Sequence, residues 1–83
     1  MALLSPAEEK ARLRWQCRRG LLELDFILER FLTQRYDQLS DKLKEQFSQL
    51  LQHSDPDLQD WLLSSEPSKK PPFSDLIGLI RHL

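Results

Sequence analysis

Valine is absent from this chain of 83 residues, and the β-branched residues number only four: Ile27, Ile77, Ile80 and Thr33. A sheet draws on Val, Ile and Thr, so a β-rich fold is all but excluded. Glycine is nearly as scarce. Gly20 and Gly78 are the only two, which removes the Gly-rich loops that cradle phosphates and dinucleotides. Cys17 stands alone. It can close no disulfide within the chain, so nothing points to a secreted disulfide scaffold. Long apolar runs are missing too, which argues against a membrane span. The first residues lack the basic stretch and apolar core of a secretory signal, and Glu8 and Glu9 speak against a mitochondrial presequence. These absences lead to the expectation of a soluble protein of a reducing compartment.

What the chain has is leucine. There are 18 Leu, and Leu, Ile and Phe together make up 25 of the 83 residues. That is too apolar for a disordered chain. The length suits one domain over residues 1–83 and gives it only a small core. The net charge of −1 hides an uneven distribution. Residues 1–20 carry +3 through Lys10, Arg12, Arg14, Arg18 and Arg19, residues 21–66 carry −6, and residues 67–83 carry +2. A basic first segment beside an acidic body describes a surface with two electrostatic halves, or simply solvated helix faces.

Five helices are expected. Ser5-Pro6-Ala7-Glu8 holds both ends of a capping box, with Pro at the first helical position. This first helix should reach Arg18 or Arg19, with Ala7, Ala11 and Trp15 as its apolar set and Gly20 in the left-handed position that closes it. Arg14 and Arg18 fall close to the same arc, so part of this face is free for a partner. Leu24, Ile27, Leu28, Phe31 and Leu32 mark a second helix over about 21–35. Ser40 caps a third, with Leu43, Phe47, Leu50 and Leu51 inward. Asp55-Pro56 opens a fourth, with Leu58, Trp61 and Leu62 inward. A Pro- and Ser-rich loop covers about 64–73. Ser74 caps a fifth helix with Leu76, Ile77, Ile80 and Leu83 on one side. The fold class is all-α, a small five-helix bundle.

Catalytic chemistry finds little to work with. Cys17, His53 and His82 lie in three different elements and lack any close metal-ligand spacing. No catalytic residue and no metal site are assigned. The third and fourth helices could mimic a helix-turn-helix, but Asp55, Asp57 and Asp60 on the would-be recognition helix repel phosphates. Nucleic acid is not an expected partner.

One stretch stands apart: Trp15-Gln16-Cys17-Arg18-Arg19-Gly20-Leu21-Leu22-Glu23-Leu24-Asp25. An Arg pair, a Gly and two acids crowd a helix–helix turn. The stretch reads either as an ordinary helix end with a local Arg–carboxylate pair or as an exposed recognition corner. In the second reading Arg19 forks onto a partner carboxylate, Gly20 admits a partner's backbone, and Glu23 accepts hydrogen bonds. Trp15 and Trp61 suit interface anchors as well as they suit a core.

Arg19-Gly20-Leu21-Leu22-Glu23 matches an RGxxE signature, and three further blocks surround it in order. They are Trp15-x-Cys17-Arg18 with Leu24-Asp25, Tyr36-Asp37-x-Leu39-Ser40-Asp41, and Phe47-x-x-Leu50-Leu51 followed by Asp55-Pro56-Asp57-Leu58-x-x-Trp61-Leu62. In these blocks the chain resembles the succinate dehydrogenase assembly factor family of the bacterial SdhE type. The resemblance covers about residues 11–63. The Pro-rich loop and last helix are similar in length and pattern more than in sequence, so no family contact is carried over there. The resemblance implies a five-helix fold and a chaperone rather than an enzyme. The partner it implies is the flavoprotein subunit of succinate dehydrogenase, and in bacteria also that of fumarate reductase. The assembly factor promotes covalent attachment of FAD to a histidine of that subunit and holds no stable cofactor of its own. On this reading Arg19, Gly20 and Glu23 form the docking corner, and Arg12, Arg14 and Arg18 extend a basic edge. Asp25 orients Arg18 or Arg19, and Trp61 joins the partner-binding set. A free monomer in the bacterial cytoplasm, with no membrane insertion, completes the expectation. The alternative is an antitoxin-like regulator paired with a small membrane protein.

Overall fold

In a computed structural model of the chain, residues 5–65 and 70–82 are described. They form α1 (Pro6–Gln16), α2 (Leu22–Gln34), α3 (Asp41–Leu50), α4 (Asp55–Leu62) and α5 (Ser74–Arg81), with a single 3-10 turn at Tyr36–Gln38 between α2 and α3. No strand occurs among the described residues. The five-helix, all-α reading is therefore correct, and the 3-10 turn is an addition to it.

The second helix organises the rest because it is the most apolar of the long elements. Its buried residues are Leu24, Leu28, Phe31 and Leu32. Around this stripe α2 packs against α1, α4 and α5, and α5 also meets α3 and α4. Phe47 of α3 packs obliquely on Phe31, with ring centroids 5.4 Å apart, and on Tyr36 at 5.9 Å. Leu50, Leu51, Leu58, Leu62, Leu76, Ile77 and Ile80 complete the core. No charged or polar residue is buried among the described residues.

Helix starts follow local chemistry. Ser5, Ser40 and Ser54 each accept a hydrogen bond from the backbone amide three residues on, which satisfies donors left open by the first turn. Ser54, rather than Asp55, caps α4, so Pro56 sits at its second position. Asp55 is drawn instead toward Arg19. Phe73, rather than Ser74, is the cap of α5. It adopts a left-handed conformation, φ 51°, and makes no side-chain cap bond. Its ring packs against the core, which offsets the strain of that backbone.

The apolar face expected of α1 is corrected by the structure. Ala7, Ala11 and Trp15 are exposed, and the buried residues are Leu13 and Cys17. Two apolar residues make a thin seam, and ion pairs widen it. Lys10 Nζ lies 2.9 Å from Asp37, and Arg14 Nη1 lies 3.1 Å from Glu29. Salt links let this helix dock without the apolar period that sequence reading looks for. The helix also ends at Gln16, before Arg18, so Gly20 belongs to the α1–α2 turn and not to a helix cap. Of the Pro-rich loop, residues 66–69 lie outside the described residues, as does the expected inward Leu83.

Candidate functional site

The stretch singled out in the sequence lies where the end of α1, the start of α2 and the α3–α4 turn meet. After Cys17 the chain leaves the helix. Gly20 takes φ +80°, a conformation that costs a residue with a Cβ about 1–2 kcal/mol. Leu21 then enters α2 in an extended conformation with no side-chain cap bond. Asp25, one turn into α2, supplies what the cap lacks. Its Oδ1 accepts from the Arg19 amide at 2.8 Å, and its Oδ2 accepts from the Gly20 amide at 3.1 Å. Its negative charge also sits favourably in the first turn of the helix. Asp25 therefore orients Arg19 through the main chain, and its carboxylate fixes the turn.

The Arg19 side chain turns inward. Nη1 donates to the Gln16 carbonyl at 3.2 Å, and Nη2 donates to the His53 carbonyl. Nε lies 2.9 Å from Asp55 Oδ1. One guanidinium thus ties the last turn of α1 to the α3–α4 turn and the first turn of α4. A rigid five-donor fork suits such a junction, where a lysine would satisfy fewer acceptors. Of the two readings of Arg19, a carboxylate pair within the chain and a fork onto a partner's carboxylate, the free chain shows the first, with Asp55 as the carboxylate. The Gln16 carbonyl is a local helix-end contact, whereas His53 and Asp55 lie more than thirty residues on and nothing in the local sequence ties them to Arg19.

The outward side of this corner is formed by what remains. Gly20 is exposed, and no atom lies within 4 Å of the place a Cβ would take. Glu23 is exposed and has no ion-pair or hydrogen-bond partner among the described residues. Arg12 is also exposed. Arg18 lies over the Trp15 ring, 5.2 Å from its centroid, and Trp15 is 72% exposed. Arg14 is not on this edge, since it faces α2 and pairs with Glu29. Trp61 is likewise away from the surface. It is 4% exposed and packs edge-on against His53 at 4.9 Å.

Cys17 is buried beneath the corner. Burial, then the nearby Glu29, pushes its thiol up to about 12, so it stays protonated and unreactive at neutral pH. Among the described residues no group of three His, Cys, Asp or Glu side chains is arranged to hold a metal ion. The arrangement is suited to recognition. It offers a carboxylate acceptor, an open backbone and an arginine–indole pair on a rigidly braced turn.

Comparison with known proteins gives the chain its class. Residues 11–83 match the model of the family described as the flavinator of succinate dehydrogenase. The chain belongs to that family. Over 74 residues it is 40% identical to the FAD assembly factor SdhE of Legionella pneumophila strain Lens, covering 89% of this chain and 92% of the relative. It is 44% identical over 72 residues to the FAD assembly factor SdhE of Coxiella burnetii strain RSA 493, covering 87% and 88% respectively. It is 41% identical over 70 residues to the protein of the same name from Idiomarina loihiensis, covering 84% and 78%. No solved structure gives a significant match.

Proposed function

We propose that this chain is an assembly factor that binds the flavoprotein subunit of succinate dehydrogenase and promotes covalent attachment of FAD to it. The family match over residues 11–83 carries this reading. The exposed Gly20 and Glu23 on a braced turn support its placement at the RGxxE corner. The chain acts as a chaperone. Bond formation belongs to the flavoprotein and its flavin, and FAD is the client's group rather than a cofactor held here. The client's acceptor histidine and the flavin must be brought into attack geometry, and positioning of that kind contributes several powers of ten in rate. A helper that binds the competent arrangement more tightly than the loose one shifts the population toward it.

Gly20, Glu23, Arg18 and Arg12 provide the contact surface in this account, with Asp25 and Arg19 holding its shape. Fumarate reductase flavoprotein is a second client of the same chemistry, and the free chain is a monomer. The relatives are bacterial, and among the described residues no helix is long and apolar enough to cross a membrane. The bacterial cytoplasm is the compartment this reading assigns.

Co-expression with the flavoprotein subunit from the same genome tests the proposal. The flavoprotein is run on a denaturing gel and its flavin fluorescence compared with the chain, without it, and with Glu23→Ala. Fluorescence that requires the chain and falls with Glu23→Ala is expected. Equal fluorescence in all three lanes overturns the assembly role for this client.

A further inference from the structure

Five large apolar side chains are exposed among the described residues, and three of them, Leu22, Phe26 and Leu63, line one groove. Leu22 is 88% and Phe26 64% exposed. They lie at i and i+4 on α2, off the stripe that faces the core, and they form one wall. Ile27 and Ile80 of α5 line the groove with them, and its volume is about 570 Å³. Side chains of this size in water forgo the gain that burial would bring. An apolar concavity of this kind marks a docking surface.

Three charged residues line the groove, Glu23, Arg30 and Arg81, and Arg81 donates to the Trp61 carbonyl at 2.8 Å. Glu23 lines it near the start of α2 and Arg30 lines it two turns further on, about 10 Å along the helix. Neither has a partner among the described residues. Glu23 also belongs to the corner described above, and with Leu22 and Leu63 it lines the neighbouring depression. Groove and corner are thus one continuous surface that shares Glu23.

Size decides the occupant. A stable specific interface covers about 800 Å² on each partner. A turn presenting a glycine, a carboxylate and an arginine is much smaller, so the interface must spread. The α1 edge is charged, which suits a rim; the groove is apolar, which suits an interface centre. We propose that this groove seats an amphipathic helical segment of the same flavoprotein client. That segment places two apolar side chains between Leu22, Phe26 and Leu63, a donor or base at Glu23, and an acid at Arg30. The inference rests on the functional reading above and names a second element of the client that it must present.

Titration calorimetry of the purified chain with purified flavoprotein subunit tests it. The variants are Leu22→Ser/Phe26→Ser, Arg30→Glu and Glu23→Ala. All change exposed positions, and circular dichroism checks that helicity is kept. At least tenfold weaker binding is expected for the double variant and for Arg30→Glu, alongside weaker binding for Glu23→Ala. Undiminished binding by both groove variants, with loss in Glu23→Ala, overturns the groove and leaves the functional reading standing. Absence of binding by the unaltered chain overturns both. Sedimentation distinguishes the other occupant: an unaltered chain that is dimeric and becomes monomeric in Leu22→Ser/Phe26→Ser assigns the groove to a second copy and overturns the client segment.

Discussion

At the scale of single residues, Gly20 separates shape from contact. Its φ of +80° is strained for any side chain, yet the space around it is open. Gly20→Arg should therefore cost about 1–2 kcal/mol of stability and leave the helix content intact, while placing a long cation across the corner. Loss of client flavinylation with an unchanged far-ultraviolet spectrum is the expected result. Loss of folding would show that the turn, and not the contact, is what the glycine protects. Cys17 gives a prediction of a different kind. Its thiol ionises at about 12 in the folded chain against an ordinary 9.0. Between those values the unfolded chain has released a proton that the folded chain still holds, so stability is full below 9 and falls as pH rises through the window. Tyr36, raised from 10.0 chiefly by burial, acts in the same direction. Urea midpoints should drop as pH rises from 9.0 toward about 12, and Cys17→Ala should remove part of the slope.

At the scale of elements, the helices with wide apolar stripes were legible and the narrow one was not. The positions Leu24, Leu28, Phe31 and Leu32 specify α2 unaided, and the serine caps of α1 and α3 stand where the sequence set them. Helix α1 misleads because two side chains bury it while its ion pairs do the rest. The fifth helix misleads at its start because a ring packing on the core outweighs a serine cap. The candidate site divides in the same way. Gly20 and Glu23 could be picked from local sequence, whereas the inward course of Arg19 depends on acceptors in a distant turn. Trp61 is buried with Leu58 and Leu62, as the inward face of α4 led one to expect, which is at odds with its place in the partner-binding set. The pair Leu22 and Phe26 carried a signal that went unused: apolar residues four apart, off the buried stripe. The thin attachment of α1 has its own consequence. Leu13→Ala should cost about 2–5 kcal/mol, and amides of α1 should exchange with deuterium faster than those of α2 in the unaltered chain.

At the scale of the molecule, the basic first segment and the acidic body lie in one body of 39 × 25 × 24 Å. Lys10, Arg14 and Arg19 pair with acids of that body, and the exposed Arg12 and Arg18 remain to orient an approaching partner before contact. Association with the flavoprotein subunit should slow markedly between about 50 and about 500 mM salt, with a smaller change in dissociation, as stopped-flow kinetics would report. The bracing by Arg19 bears on how the corner can be handled as an object. Its acceptors at His53 and Asp55 come from the far half of the chain. A peptide cut to residues 12–34 would keep every letter of the signature and lose the tie that sets its geometry. The same five letters grafted onto another helical hairpin would be no better placed. Transplanting the recognition surface therefore means transplanting the α3–α4 turn with it, and a synthetic competitor of the docking step has to be a bundle rather than a hairpin.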